Sequence, residues 1–399
     1  MAKAGVETGR LAVLDAIRGF AALLVVLMHA RDVMWSGMMN YITANPYDMR
    51  PVSLMAYASA PLMYGAIGVS LLFVLSGYVI HRPNTPSLDV GPGSAPSSPP
   101  FDGKAFYVRR FVRIYPTMIL ALAVTMLCDA ASRATGALPA EIDGSTWALF
   151  VNLAGLQGIL SWPYGSNHPL WSLAIEIQFY LSYPIALSLR RRIGMDAMLL
   201  VALSTSVLGA ILIHLNGVTA FPQFYVAWWA GAYVADWERS GRPMPQAWKL
   251  VGIALLVAGC AAYSMRQCSL GIVLWSLGIA PVLAAILARP RRLPSLAMPL
   301  QMVGQFSYTL YAIHFPVIIL LSAVMLGGSR NPNIAWSILA AAVTIPVAYA
   351  AYWLAERPSI LWLKSMRARE LSAVRLLPER PWGVLAQWNG RRWSSKIAR

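Results

Sequence analysis

Three side chains inside one apolar run could do chemistry: Asp15, Arg18 and His29 interrupt the otherwise hydrophobic stretch 11–30. A charge near a bilayer centre costs about 2.5 to 3.5 kcal/mol on insertion scales, so an ionisable residue there is a functional-site hypothesis by default. Arg18 and His29 stand eleven positions apart. At about 100° and about 1.5 Å per residue, that spacing returns to nearly the same helix face and separates the two groups by about 16 Å. A polar stripe therefore runs from a guanidinium, whose planar fork of donors suits phosphate, to an imidazole. With an unperturbed pKa of about 6.5, imidazole can take a proton from a hydroxyl at neutral pH. It can also serve as a nucleophile, and the sequence leaves both routes open.

The elements that hold this stripe are membrane helices. Of 399 residues, 58% are hydrophobic and only 12% charged, and the mean hydropathy is +0.56, a balance that excludes an ordinary soluble domain. Stretches long enough to cross about 30 Å of hydrocarbon recur at 11–31, 58–81, 112–130, 171–189, 196–214, 221–237, 249–266, 270–288, 302–326 and 334–360. They predict an all-α integral membrane bundle of about ten transmembrane helices. A shorter segment, 145–160, contains Asn152 and Gln157, and counting it as a span would put Arg190, Arg191 and Arg192 outside. If it lies at the interface instead, the clusters Arg109/Arg110/Arg113, Arg190 to Arg192, Arg239/Arg242/Lys249, Arg289/Arg291/Arg292 and Lys364 onward share one side. The positive-inside rule then makes both termini cytoplasmic. The net charge of +16 is explained by those loops without a nucleic-acid partner.

Residues 1–363 form the expected transmembrane domain and 364–399 a basic cytoplasmic tail along the anionic inner leaflet. Lys3 and Arg10 imitate a signal peptide, but Asp15 and Arg18 break any clean hydrophobic region, so a retained first helix is expected. The Pro/Gly/Ser-rich connection 82–104 reads as a flexible linker. The outer loop 131–169 holds Asp143, Trp147 and Asn152 and could form a lid over an outer substrate. Cys128, Cys260 and Cys268 lack metal-ligand spacing, so no metal is expected; Cys260 and Cys268 would pair only if the turn between them folded back. His81, His168 and His214 fall at span ends, where solvated imidazoles are cheap.

Six motifs in order carry a resemblance. Asp15-Ala16-Ile17-Arg18-Gly19-Phe20 with His29 is followed by Phe73-Val74-Leu75-Ser76-Gly77, by the basic run Phe106-Tyr107-Val108-Arg109-Arg110-Phe111-Val112-Arg113, and by Asn167-His168-Pro169-Leu170-Trp171-Ser172-Leu173 with Glu176, Phe179 and Tyr180. Phe306-Ser307-Tyr308-Thr309-Leu310-Tyr311-Ala312-Ile313-His314-Phe315-Pro316 and Glu356-Arg357-Pro358 close the series. From about Leu11 to Pro358 the chain resembles the membrane-bound acyltransferase-3 family, though Leu72-Phe73 replaces that family's usual double aromatic.

The resemblance implies transfer of an acyl group, usually acetyl, from acyl-CoA to a sugar hydroxyl in a bacterial surface polysaccharide or lipid-linked glycan. It implies multi-pass residence in the bacterial inner membrane, membrane lipids and polysaccharide-assembly proteins as partners, and acetyl-CoA as co-substrate with no tightly bound cofactor. His29 is the expected base, with Glu176 orienting the imidazole or pairing with Arg18. Arg109, Arg110 and Arg113 are expected on the donor's phosphates, Arg18 between that cluster and His29 along the path of the pantetheine arm, and Ser76, Trp171 and Tyr180 as further substrate-binding residues. Structural readings stand next to these. Arg18 could serve only Asp15, the arginine cluster only topology, and Ser76-Gly77 only close packing. Trp171 and Tyr180 could be packing aromatics, while His314 and Pro316 read as a kink. A transporter or flippase for an anionic or glycan-linked substrate is the alternative function, although it would be expected to show paired interruptions in two halves.

Overall fold

The computed structural model describes residues 2–45, 48–85, 101–138, 142–214, 218–241, 245–288 and 294–375. Most of the expected linker (86–100), Arg242, Arg289, Arg291, Arg292 and the tail 376–399 lie outside the described residues. The chain runs α1 (Ala2–Met34), α2 (Met38–Ala44), α3 (Pro51–Ala58), α4 (Ile67–His81), α5 (Gly103–Ala134), α6 (Thr146–Leu153), α7 (Leu170–Ile193), α8 (Met195–His214), α9 (Tyr225–Arg239), α10 (Gln246–Ser264), α11 (Cys268–Leu287), α12 (Met298–Gln305), α13 (Ser307–Leu326), α14 (Ala335–Leu354) and α15 (Glu356–Arg375).

Among the described residues seven helices are long and apolar enough to cross a membrane, and an eighth span results if Pro51–Tyr64 and Ile67–Asn84, bent by 40°, count as one. The protein is a multi-pass all-α membrane bundle. Every expected span falls on helix, but α7 is diluted by Ser172, Glu176 and Gln178, and α9 has 15 residues, too few to cross unaided. The expected spans 302–326 and 334–360 are each two helices, broken at Phe306 and at Ala355. One side chain ties both breaks. Glu356, fully buried at the start of α15, accepts from the Thr309 backbone N–H at 2.9 Å and its hydroxyl at 2.7 Å, and so satisfies a first-turn donor of α13.

Segment 145–160 does not cross as a helix. The eight residues of α6 are about 12 Å long, and Gly155 (φ 69°) and Gly158 (φ 89°) turn the chain back. Asn152 bonds the Ala148 and Trp162 carbonyls and the Tyr164 N–H, while Gln157 bonds the Leu170 carbonyl. Its polar residues are thus loop fasteners. Helix α15 runs unbroken through the expected boundary at 363/364. Cys260 and Cys268 are free thiols.

Ion pairs define one end of the bundle. Glu238 of α9 pairs with Arg10 of α1, with Arg82 at 3.6 Å, and accepts from Tyr78 at 2.5 Å; Asp236 takes Arg190 of α7 and His81 of α4 at 3.2 Å. His81 is fully buried there against Tyr183 and Asp236, which corrects its reading as a solvated span-end imidazole. The His214 side chain is not described. His29 and the 142–169 loop belong to the opposite end, where the Ser36 N–H bonds Asn331 and Thr219 bonds Gly158.

Two glycine contacts set helix rotation. A Cβ on Gly77 would come within 1.9 Å of the Trp228 carbonyl, and one on Gly231 within 1.8 Å of the Val74 carbonyl, so α4 and α9 cross backbone to backbone. Gly19 and Gly304 join α1 to α12 likewise, at 2.0 Å from Leu300 O and 1.8 Å from Asp15 O. Seating Gly19 and Gly77 against neighbours aims Arg18 and Ser76, the adjacent residues, into the space between the helices.

Candidate active site

That space is a cavity of about 130 Å³ lined by α1, α4, α5, α7 and α13. Arg18, Arg110 and Arg113 all reach it. Each guanidinium has a different anchor. Arg18 donates to Asp15 at 3.1 Å, and Arg113 pairs with Glu356 at 2.9 Å. Arg110 lies 5.6 Å from the ring centres of both Phe106 and Tyr180. Opposite them Glu176 accepts from Tyr180 and, at 3.0 Å, from Ser76, whose hydroxyl also receives the Trp228 indole N–H at 3.2 Å. The cavity is therefore positive beside one acid, with unused guanidinium donors, and could hold phosphate oxygens.

Away from the basic end the lining finishes at Ser172 and Tyr311, whose hydroxyls lie 2.5 Å apart. One helical turn beyond Tyr311 is His314, fully buried. Its Nδ1 lies 2.7 Å from the Tyr311 carbonyl, and its Nε2 lies 2.8 Å from Nδ1 of His29. A carbonyl only accepts, so His314 carries its proton on Nδ1. With both rings neutral, its Nε2 must then accept from His29 Nδ1–H. The relay leaves the lone pair of His29 on Nε2, where it can take a proton. Phe315 packs edge-on against His29 with ring centres 5.0 Å apart, and the exposed His168 ring sits 5.9 Å from Phe315.

Pro316, inside the unbroken α13, leaves a backbone acceptor beside the pair for a neighbour to satisfy. Pro316 has no N–H, so the Ala312 carbonyl lacks its intrahelical donor, and Asn167 Nδ2 fills the vacancy at 2.9 Å while also donating to Thr125 at 3.0 Å. The Asn167-His168-Pro169 and His314-Phe315-Pro316 motifs are thus joined across the bundle.

Of the residues singled out from sequence, the cavity brings together Arg18, Ser76, Arg110, Arg113, Glu176 and Tyr180. Arg109 is exposed and does not line it. Trp171 packs against Phe73 and Phe224 outside the lining. Glu176 makes neither expected contact: His314 occupies the place beside His29, and Asp15 the place beside Arg18. Depth accounts for the first, since Glu176 sits six residues into α7, about 9 Å along its axis, level with Ser76 rather than with the imidazole; Arg18 shares the cavity with Glu176 but bonds Asp15 on its own helix. In the sequence His314 reads only as part of a kink, and Glu356 carries no role beyond its motif. The signal was present for both: a buried polar side chain in an apolar helix marks a site.

The chain matches the Acyltransferase domain family over residues 11–353. It is 25% identical over 331 residues to the peptidoglycan O-acetyltransferase OatA of Listeria monocytogenes, covering 74% of this chain and 51% of that one. It is 26% identical over 386 residues to the putative peptidoglycan O-acetyltransferase YrhL of Bacillus subtilis, covering 86% and 54%. Acyltransferase MdmB of Streptomyces mycarofaciens is 33% identical over 133 residues, 32% of this chain and 30% of its own. The chain spans about half the length of the two peptidoglycan O-acetyltransferases, and no solved structure matches it. With the family match running from the first helix through α14 and taking in both histidines and all three cavity arginines, the chain belongs to the acyltransferase-3 family.

Proposed function

We propose that the protein transfers an acyl group, acetyl foremost, from acyl-CoA to a hydroxyl of a sugar in a surface polysaccharide or lipid-linked glycan of the bacterial inner membrane. The observation that carries this reading is the directed relay Tyr311 carbonyl, His314, His29, which leaves His29 Nε2 unprotonated beyond the end of an arginine-lined cavity. The donor enters from the basic end with its phosphates on Arg18, Arg110 and Arg113, and its pantetheine arm passes Ser76, Glu176 and Tyr180 towards Tyr311. Its thioester then reaches the imidazole. His29 Nε2 takes the acceptor's hydroxyl proton as the oxygen attacks the acyl carbon; the C–O bond forms, the C–S bond breaks, and the proton passes to the thiolate to give CoA-SH. His29 is the catalytic residue. His314 positions it by fixing its tautomer and ring plane. Names of the relatives support a carbohydrate acceptor, and peptidoglycan is the first to try.

The test is purified protein in liposomes with radiolabelled acetyl-CoA and a surface-glycan extract, native against His29→Ala. Label on the glycan from the native chain and none from a folded variant is the expected result. Equal labelling by both would remove His29 from the reaction. CoA-independent movement of glycan with no labelling would favour transport.

A further inference from the structure

A second polar pocket, of about 300 Å³, opens at the end of the bundle that holds His29. Its floor is Asp129 and Tyr164, each only 5% exposed. Arg133, Ser145 and Thr146 form its rim, and Met126, Ala130 and Leu149 its apolar wall. The Asp129 carboxylate receives the Ser166 N–H at 2.8 Å and the Ser166 hydroxyl at 2.5 Å, and no cation pairs with it among the described residues. Arg133 lies one turn along α5 and spends one donor on the Ile142 carbonyl at 3.1 Å. The pocket is built and tied shut at its seam: Gly165 (φ 58°) bonds Asp143 at 2.9 Å, and a Cβ there would stand 2.2 Å from Asp129 Oδ2. Burial and the Asp129 charge push the Tyr164 phenol up, which keeps it a donor.

Carboxylate lone pairs, spare guanidinium donors, hydroxyls and an apolar wall together match one ligand chemistry, a ring with many hydroxyls on one edge and C–H groups on its face. Arg133 offsets Asp129 in the lining, and Asp143 beside it leaves no surplus positive charge for an anionic ring, so the ring is neutral. Location gives its role. Ser166 bonds Asp129, Asn167 bonds the Ala312 carbonyl, and His168 packs on Phe315, which packs on His29. Three successive residues thus connect the pocket to the ring stack on the imidazole: Ser166 and His168 stand at most about 7 Å apart along the chain, and the ring centres step 5.9 Å from His168 to Phe315 and 5.0 Å from Phe315 to His29. We infer that the Asp129/Arg133/Tyr164 pocket is an acceptor subsite that holds a neutral sugar ring next to the one whose hydroxyl is acylated. This inference rests on the acyltransferase reading and adds the requirement that the acceptor be an oligosaccharide.

The test uses the full chain in nanodiscs and β-1,4-linked N-acetylglucosamine oligomers of one to four rings. Calorimetric titration without donor should give at least tenfold tighter binding for two rings than for one, with little dependence on salt. Arg133→Gln and Tyr164→Phe, which leave the Asp129–Ser166 tie in place, should erase that gain. In turnover assays they should raise the acceptor KM about tenfold relative to the acetyl-CoA KM. Equal affinity for one and two rings, or an undiminished gain in both variants, overturns the subsite. Loss of all acetyl-CoA turnover in the native chain would overturn instead the reading it rests on, so the two failures are distinguishable.

Discussion

The two ends of the polar path are anchored by different physics. At the arginine end the long cationic side chains are held by groups on neighbouring elements: Asp15 and Glu356 by charge, Phe106 and Tyr180 by ring faces. At the histidine end no carboxylate bonds the imidazoles among the described residues; one ring orients the other, and a backbone carbonyl orients both. A phosphate donor needs fixed positive charge, which buried arginine keeps. A base needs an uncharged lone pair on a ring held in one tautomer, and here the Tyr311 carbonyl and His314 supply that orientation without a charged partner. The separation teaches that fixed charge and basicity sit about 16 Å apart along α1, each held by its own set of anchors.

Substitutions can break this contrast in order of effect. His29→Ala should lower kcat by about 10²- to 10⁴-fold, the range a positioned general base supplies, read as acetyl transfer in liposomes. His314→Ala should cost about 10²-fold in kcat with the donor KM unchanged. The double variant should be no worse than His29→Ala alone, because residues acting as a unit are not additive. Gly304→Ala would push a methyl into the Asp15 carbonyl and should cost about 1 to 3 kcal/mol of stability, measured by denaturation in detergent. Arg110→Gln removes a cavity cation without orphaning an acid and should raise the acetyl-CoA KM about tenfold, in line with about 1.5 kcal/mol for a hydrogen bond to a charged group. Arg109→Gln, one residue away but exposed, should change that KM less than about twofold.

Much of this was legible in the sequence, for a reason visible in α1. There the charges interrupt a long apolar run, so Arg18 and His29 stand out and their shared face follows from helical geometry alone. The arginines at 110 and 113 were readable as a cluster, but which of three adjacent charges turned inward depended on the rotation of α5, which no single-helix pattern sets. Pairing was the least legible. His29 and His314 are 285 positions apart, and their contact depends on how α1 and α13 pack, with Asn167 fastening the Ala312 carbonyl nearby. Glu356 hid behind a helix break that reads as continuous hydropathy. The outer pocket depends on Gly165 folding a loop onto Asp129, a tertiary event with only turn residues as its trace.

The central claim is that donor and acceptor approach from opposite ends and meet at His29. Its most direct test is sidedness in sealed vesicles bearing the protein in one orientation, with radiolabelled acetyl-CoA on one side and an N-acetylglucosamine oligomer on the other. The account predicts labelled oligomer when acetyl-CoA faces the basic end and the oligomer faces the His168 end, and none with the two exchanged. Labelling with both substrates confined to a single side, and none across the membrane, would contradict it.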